Sequence, residues 1–444
     1  MFYPEVTRRY MQILSEKKEY AREFQELLQR TEAERTLYHG LAIPMTYQGL
    51  FLQSEQTALF HRIIRRMVSI GRKVTAEYVA NPAYRPGFRF SPEIEKLILI
   101  DPGYDIPVPV GRYDIFYNGG ADFRFCELNT DGASAMNEDR VLGGLLLQTE
   151  AMKALSKEWT ISQFELFQTL VQGLLNRYRS IRGREAETVA IVDFFDKGTT
   201  LEFEQFQRTF EKLGRRCLIC SPDEFNYEQH ALWATDPKTG ERLRVDLVYR
   251  RVVTSDFVER MASCEAFLQG YRDQAFVMFG SFRSQVMHSK LIFSMLYHPM
   301  TDAILTEEER AFVRAHVPMT RELLTEEDRE NVRSRKDRYI LKPYNSYASQ
   351  GIYLGREYDQ DAWNALCKTL PLDAYIYQDY VDVEPTPFIV PENGALRETR
   401  LGHVLGLFLY DEQFAGSYTR VGAEGIISGA RAYFAAPVFF AVKK

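Results

Sequence analysis

The stretch that most limits how this chain can fold runs from Val110 to Asn129. Its side chains alternate as in a β-hairpin, and Asn118-Gly119-Gly120 supplies the positive φ angles that a tight turn needs. Side chains two apart in a strand share a face, so Arg112 goes with Asp114 and Glu127 with Asn129. A loop with an even number of residues at its tip places Asp114 on the face that carries Glu127 and Asn129. Two carboxylates and an amide carbonyl are hard oxygen donors of the kind Mg²⁺ takes when it also keeps waters and shares substrate phosphates. Cys126 and Leu128 then point to the opposite face and read as core. An edge strand with a polar solvent face fits the same residues equally well.

A second informative segment lies far downstream. Tyr339-Ile340-Leu341-Lys342-Pro343 reads as an apolar strand, and a small polar loop from Tyr344 to Gly351 leads into Ile352-Tyr353-Leu354. Such a loop suits phosphate, because its backbone N–H groups can approach closely, Ser349, Gln350 and Gly351 among them, and Lys342 adds a mobile point charge. No GxxxxGK[ST] pattern is present, which argues against a P-loop. A surface hairpin with a chance lysine is the alternative for this segment by itself.

Together the two segments resemble the ATP-grasp superfamily, in which lysines on a lid hold the nucleotide and a strand ending in Glu-x-Asn holds its Mg²⁺. In most of that superfamily the lysines come first, whereas here Asp114, Glu127 and Asn129 precede them. The inverted order looks like the circularly permuted branch, and the chain is similar over about residues 100 to 440 to the synthetase portion of glutathionylspermidine synthases and related peptide ligases. No cysteine precedes Cys126, so the amino-terminal cysteine amidase of bifunctional members is not expected here.

The resemblance implies an α/β (α+β) fold of circularly permuted ATP-grasp type, with ATP and Mg²⁺ as cofactors. It implies Asp114, Glu127 and Asn129 as metal ligands, and Arg112 as a contact to the acyl phosphate or the substrate carboxylate. Ser289-Lys290, ahead of an apolar helical run, matches the family's first nucleotide lysine, and Lys342 matches the second. Tyr375 to Val381 resembles the hinge strand, so Gln378, Asp379, Tyr380 and Val381 are implied to meet the adenine and ribose. Gly416 to Gly422 resembles the late glycine-and-arginine block and makes Arg420 a second contact to the transferred phosphate. The implied activity is ATP-dependent amide formation through an acyl phosphate, between a small-molecule or peptide carboxylate and an amine. A phosphotransferase, or a protein that binds nucleotide or peptide without catalysis, are the alternatives. The loop from Tyr344 to Gly351 departs from the glycine-rich, charged loop common in the family.

Composition narrows the remaining choices. A chain of 444 residues that is 45% hydrophobic can bury a large core divided among subdomains. A net charge of −6 without a dense basic tract gives no footprint for nucleic acid. Cys217-Leu-Ile-Cys220 has no second pair to complete a zinc site and fits a buried strand. No signal-like segment or long apolar run is seen, so no membrane association and a cytoplasmic setting are expected.

Helical patterning covers residues 1 to about 80, and Asn81-Pro82 marks its end. The expected division is a helical region at 1–100, a core segment with the metal hairpin at 101–184, an α/β substrate-side unit at 185–280, a nucleotide lid at 281–374 and a closing core segment at 375–444. Within 185–280, strands at Thr188–Asp193, Arg216–Cys220 and Val245–Tyr249 surround a helix from Leu201 to Leu213. Arg250 and Arg251 follow the last strand and either face the site or form a solvated pair. Thr306 and Thr325, each followed by a run of acids, read as helix starts.

Overall fold

The computed structural model describes residues 5–16, 20–33, 37–38, 41–196, 200–344, 351–392, 395–427 and 432–444. Its architecture is mixed α/β, and three sheets position the candidate site.

The core sheet is antiparallel. Its order is Phe434–Ala436, Gln413–Gly422, Ala395–Tyr410, Val110–Gly119 and Asp122–Asn129, and Thr386–Glu392 pairs with the first half of Ala395–Tyr410. Alternation assigns its two faces. Tyr113, Ile115, Tyr117, Leu405 and Leu407 pack in one apolar cluster with Phe60, Ile63, Ile64, Met67 and Val74 of the helix Ser54–Ala80. That helix shows the three- and four-residue spacing of an amphipathic segment and stops where Asn81-Pro82 predicted it. The other face carries Arg112, Asp114, Val404, Gly406, Tyr418 and Arg420 in register: Asp114 stands opposite Glu127 and Gly406, and Gly406 stands opposite Tyr418.

A second sheet is also antiparallel, in the order Thr320–Glu322, Tyr375–Asp379, Tyr339–Pro343, Tyr353–Leu354. Tyr339, Leu341 and Tyr377 pack on Trp363 and Cys367 of the helix Gln360–Thr369. Period two then turns Ile340, Lys342, Ile376 and Gln378 toward the core sheet. Both threonine-led starts are capping boxes, Thr306 with Glu309 and Thr325 with Asp328.

A parallel sheet occupies the third position, ordered Val277–Phe279, Leu247–Arg250, Thr188–Val192, Arg216–Cys220. The chain leaves Thr188–Val192 toward one side through the helix Thr200–Lys212, and Leu247–Arg250 was added on the other. That makes a switch point at the carboxyl ends of these two strands, where Asp193 and Arg251 follow directly. Cys217 and Cys220 are buried in their strand, as their spacing suggested.

The amino-terminal region is not helical throughout. Leu50–Leu52 forms a strand that pairs in parallel with Val438–Lys443, which pairs in turn with Trp159–Gln163. The apolar run Gly49 to Leu52 lacks the helical spacing of its neighbours, and Phe51 stacks on Phe439 at 5.8 Å.

Candidate active site

The hairpin tip is the two-residue loop Gly120-Ala121 between the paired Gly119 and Asp122. Two bulges interrupt the ladder, one beside Asn118 and one at Cys126. Each shifts the register by one residue and the second undoes the first, so Asp114 ends opposite Glu127 and Arg112 opposite Asn129. The shared face expected from an even loop is thus kept. Leu128 is buried as expected, but Cys126 is only half-buried and lines the cavity between the core sheet and the second sheet. A bulged residue is not bound to strict alternation, which is why the core reading of Cys126 does not hold.

Asp114 is the most enclosed acid of the group. Arg112 grips it with Nε at 2.6 Å from Oδ1 and Nη2 at 3.0 Å from Oδ2, while Arg420 Nη2 donates to Oδ2 at 3.0 Å. Asn129 Nδ2 donates to the same oxygen at 3.2 Å and to Glu127 Oε1 at 2.9 Å. Gly406 lies directly beneath: a Cβ there would come within 2.6 Å of Arg112 Cδ and 3.0 Å of Asp114 Oδ1. Only glycine leaves room for this ion pair. Burial pushes the Glu127 carboxyl up, but Arg420, the Asn129 amide, Lys290 and Arg112 outweigh it and hold the group down at about 2. Glu127 is therefore an anion at any physiological pH, within a cluster of net positive charge.

Across the cavity, Lys342 Nζ donates to Gln378 Oε1 at 2.8 Å and to the carbonyl of Cys126 at 3.3 Å, the carbonyl that the bulge exposes. Lys290 enters from the turn Ser289-Lys290, which leads into the single helical turn Ile292–Met295 rather than a long helix. Burial lowers the Lys290 pKa, Glu127 raises it and Lys342 lowers it further. Lys290, Lys342, Arg420, Asp114 and Glu127 line a single cavity. Apolar side chains line it as well, Ile340, Ile352 and Ile376 together with Phe116, Phe293 and Val404.

Gln378, Asp379, Tyr380 and Val381, at the end of the strand Tyr375–Asp379 and just past it, also line this cavity. Their side chains differ in availability. Gln378 is buried between Lys342 and Thr320, and Arg338 takes both oxygens of Asp379 at 2.8 and 3.0 Å. Gly351 has φ of 70° beside Pro343 and Tyr375, a conformation that suits glycine. Ser349 and Gln350 lie outside the described residues.

Two carboxylates and one amide offer the hard donors that fit Mg²⁺ shared with phosphates. Among the described residues no group of three or more His, Cys, Asp or Glu gathers as a metal cage made of protein alone would require.

Several participants carry no readable signal in the sequence. Gly406 is a glycine in an ordinary apolar strand until its partners are known. His288 lines the cavity with Nδ1 buried and unpartnered among the described residues, and burial lowers its pKa. Asp131, just past the hairpin, pairs through Oδ1 with Arg250 and accepts the Thr254 N–H at 2.6 Å through Oδ2. Gly132, at φ of 68°, lets this loop approach the Arg251 carbonyl where a Cβ would lie 2.6 Å away. Arg250 and Arg251 are both buried, so the solvated alternative is excluded.

No protein-family model matches the sequence, and no curated protein matches it significantly. Among solved structures, one from Methylobacillus flagellatus KT, assigned provisionally as a gamma-glutamylcysteine synthetase, aligns with a TM-score of 0.39 and 10% identity, over 81% of this chain and 82% of that one. The ATP-grasp ligase PsnB in complex with a minimal precursor aligns at 0.30 and 12%, over 56% and 89%. D-alanyl-alanine synthetase A of Vibrio cholerae O1 biovar eltor str. N16961 aligns at 0.25 and 7%, over 56% and 87%. Likeness of this degree decides neither fold family nor function, which rest on the site itself. Among the described residues no helix is long and apolar enough to cross a membrane.

Proposed function

We propose that the protein is an ATP-dependent carboxylate–amine ligase of the ATP-grasp type that works through an acyl phosphate. One observation carries the reading: a single cavity between two antiparallel sheets is lined both by apolar side chains and by Lys290, Lys342, Arg420, Asp114 and Glu127. Apolar walls suit a purine ring, and the charged groups suit a triphosphate with its metal.

In this reading Ile340, Ile352, Ile376, Phe116 and Val404 enclose the base, and the backbone from Gln378 to Val381 meets its edge. Lys290 and Lys342 neutralise the phosphates, and Gly351 lets its backbone N–H approach them. Asp114, Glu127 and Asn129 would hold Mg²⁺ with their carboxylate and amide oxygens. When bound, the metal screens the negative charge that collects between phosphate and carboxylate.

Arg420 then orients the γ-phosphate toward the attacking carboxylate, and Arg112 steadies the acyl phosphate. A carboxylate is a poor electrophile until phosphate becomes its leaving group, so stabilising that crowded anion is the main task of these side chains. The acidic strand precedes both lysines, which supports the circularly permuted, glutathionylspermidine synthase-like branch. Residues 185–280 then serve the substrate side and 281–374 the lid.

The reading is tested by incubating the protein with ATP, Mg²⁺ and panels of carboxylates and amines, separating ADP from AMP and detecting new amides by mass. ADP with an amide product is the expected result. A stable phosphorylated product without amine incorporation would replace the ligase with a phosphotransferase. Glu127→Gln removes a charge without removing volume and should abolish most ADP release while leaving the fold intact.

A further inference from the structure

A groove of about 550 Å³ lies between the helix Ser54–Ala80, the helix Glu307–His316 and the tip of the hairpin. It shares no lining residue with the cavity of the candidate active site. We propose that this groove is a second ligand site and that it takes a planar aromatic anion, a ring system carrying a carboxylate, sulfonate or phosphate. The inference stands apart from the ligase reading.

Helical spacing builds the groove. Leu59, Arg62, Ile63, Arg66 and Ser69 recur at three and four residues and so share one side of the first helix, as Glu309, Phe312 and His316 do on the second. Three ties fix the two helices to each other: Ser69 Oγ donates to Glu309 Oε1 at 2.7 Å, Lys73 Nζ to Glu309 Oε2 at 2.6 Å, and Arg66 Nη2 to Glu308 Oε2 at 2.9 Å. The groove is therefore held in shape without a ligand, as small-molecule sites usually are.

Its apolar wall is aromatic. The ring of His316 stacks on Phe123 with centroids 3.8 Å apart and planes 9° from parallel, and Phe312 meets the same imidazole at 4.9 Å. His316 is held in that plane because its Nδ1–H donates to the Phe123 carbonyl at 3.1 Å. Leu59 and Ile63 complete the apolar lining. Ordered rings of this kind suit a flat aromatic body.

The polar lining is cationic. Arg62, Arg65 and Arg66 border the groove, and among the described residues no acid lines it. Arg66 is engaged by Glu308, whereas Arg62 and Arg65 are exposed and make no hydrogen bond or ion pair among the described residues. An arginine on a helix surface is ordinarily neutralised by an acid three or four positions away. For Arg62 those positions hold Ala58, Leu59, Arg65 and Arg66, and for Arg65 they hold His61, Arg62, Val68 and Ser69. Like charges at this spacing destabilise a helix, and a bound anion relieves that repulsion. The planar guanidinium fork matches the two oxygens of a carboxylate, sulfonate or phosphate.

The test titrates the full chain with 1-anilinonaphthalene-8-sulfonate by fluorescence, alongside N-phenyl-1-naphthylamine, which has the same ring body without the charge. The sulfonate should bind the wild type at least tenfold more tightly than the neutral dye. Replacing both arginines in an Arg62→Gln, Arg65→Gln variant should weaken the sulfonate roughly tenfold or more and leave the neutral dye unchanged. Ala121→Trp, which fills the groove at the hairpin tip and leaves every charge in place, should weaken the sulfonate as well. Urea unfolding should show the glutamine variant no less stable than the wild type, because a repulsion has been removed. Equal sulfonate affinity in wild type and glutamine variant would overturn the inference, as would a neutral dye that binds as tightly as the charged one. Loss of binding in the glutamine variant with none in Ala121→Trp would place the anion on the open surface of the helix and overturn the groove as its site.

Discussion

Gln378 holds Lys342 in place from the neighbouring strand: its Oε1 accepts the lysine Nζ at 2.8 Å while its Nε2 donates to Thr320 Oγ1 at 2.8 Å. A buried amide fixed at both ends points the ammonium into the cavity and toward the Cys126 carbonyl. Gln378→Leu keeps the strand and its volume but removes both bonds. A lost charge-assisted hydrogen bond is worth about 1.5–3 kcal/mol, so affinity for a non-hydrolysable ATP analogue should drop about tenfold or more by calorimetric titration. Unchanged affinity would mean that the Cys126 carbonyl alone sets the lysine.

Gly406→Ala tests the floor beneath the Arg112–Asp114 pair. The new Cβ would meet Arg112 Cδ at 2.6 Å and Nε at 2.9 Å, and the arginine cannot swing aside without giving up Asp114 or the Ser134 carbonyl. Overpacking of this kind costs about 1–3 kcal/mol. Urea unfolding should show that loss, and ADP release should fall at least as far as it does in an Arg112→Lys variant, while nucleotide affinity changes less. Full turnover in the alanine variant would remove Arg112 from the reacting end of the site.

Much of this arrangement was legible in the sequence, and the exceptions have physical causes. Period two gave the hairpin faces, because a buried sheet leaves few alternatives for Tyr113 and Ile115. It did not reveal the two bulges, since an inserted residue changes hydrogen bonding without changing residue types, and Cys126 was placed on the wrong face for that reason. Lys342 could be found from the strand it ends, whereas its tether to Gln378 depends on strand order. Nor could Gly406 be singled out, because its importance comes from side chains nearly three hundred positions earlier in the chain. Asp379 illustrates the opposite case: its place at the end of a strand was readable, but its pairing with Arg338 was not.

His403 gives a prediction about stability that is independent of the ligase reading. Its ring is buried in the core sheet, and its Nε2–H donates to the Tyr117 carbonyl at 2.7 Å, while Nδ1 has no partner among the described residues. Burial pushes its pKa down to about 4, opposed in part by the Tyr117 carbonyl, from an unfolded value of 6.5. Between these two values the unfolded chain binds a proton that the folded chain does not. The contribution is therefore fully present above about pH 6.5 and is lost as pH falls toward 4, by an amount on the order of 3 kcal/mol. Asp139 slopes the other way, because burial raises its carboxyl to about 8 and stability from its neutral form is lost as pH rises through the range above 4. His403→Gln isolates the histidine, since Asp139 is common to both proteins and cancels in their difference. Unfolding free energies measured by urea from pH 7.5 to 4 should show the wild type losing stability relative to the variant below pH 6.5. Parallel curves would mean that the imidazole accepts its second proton without leaving the sheet.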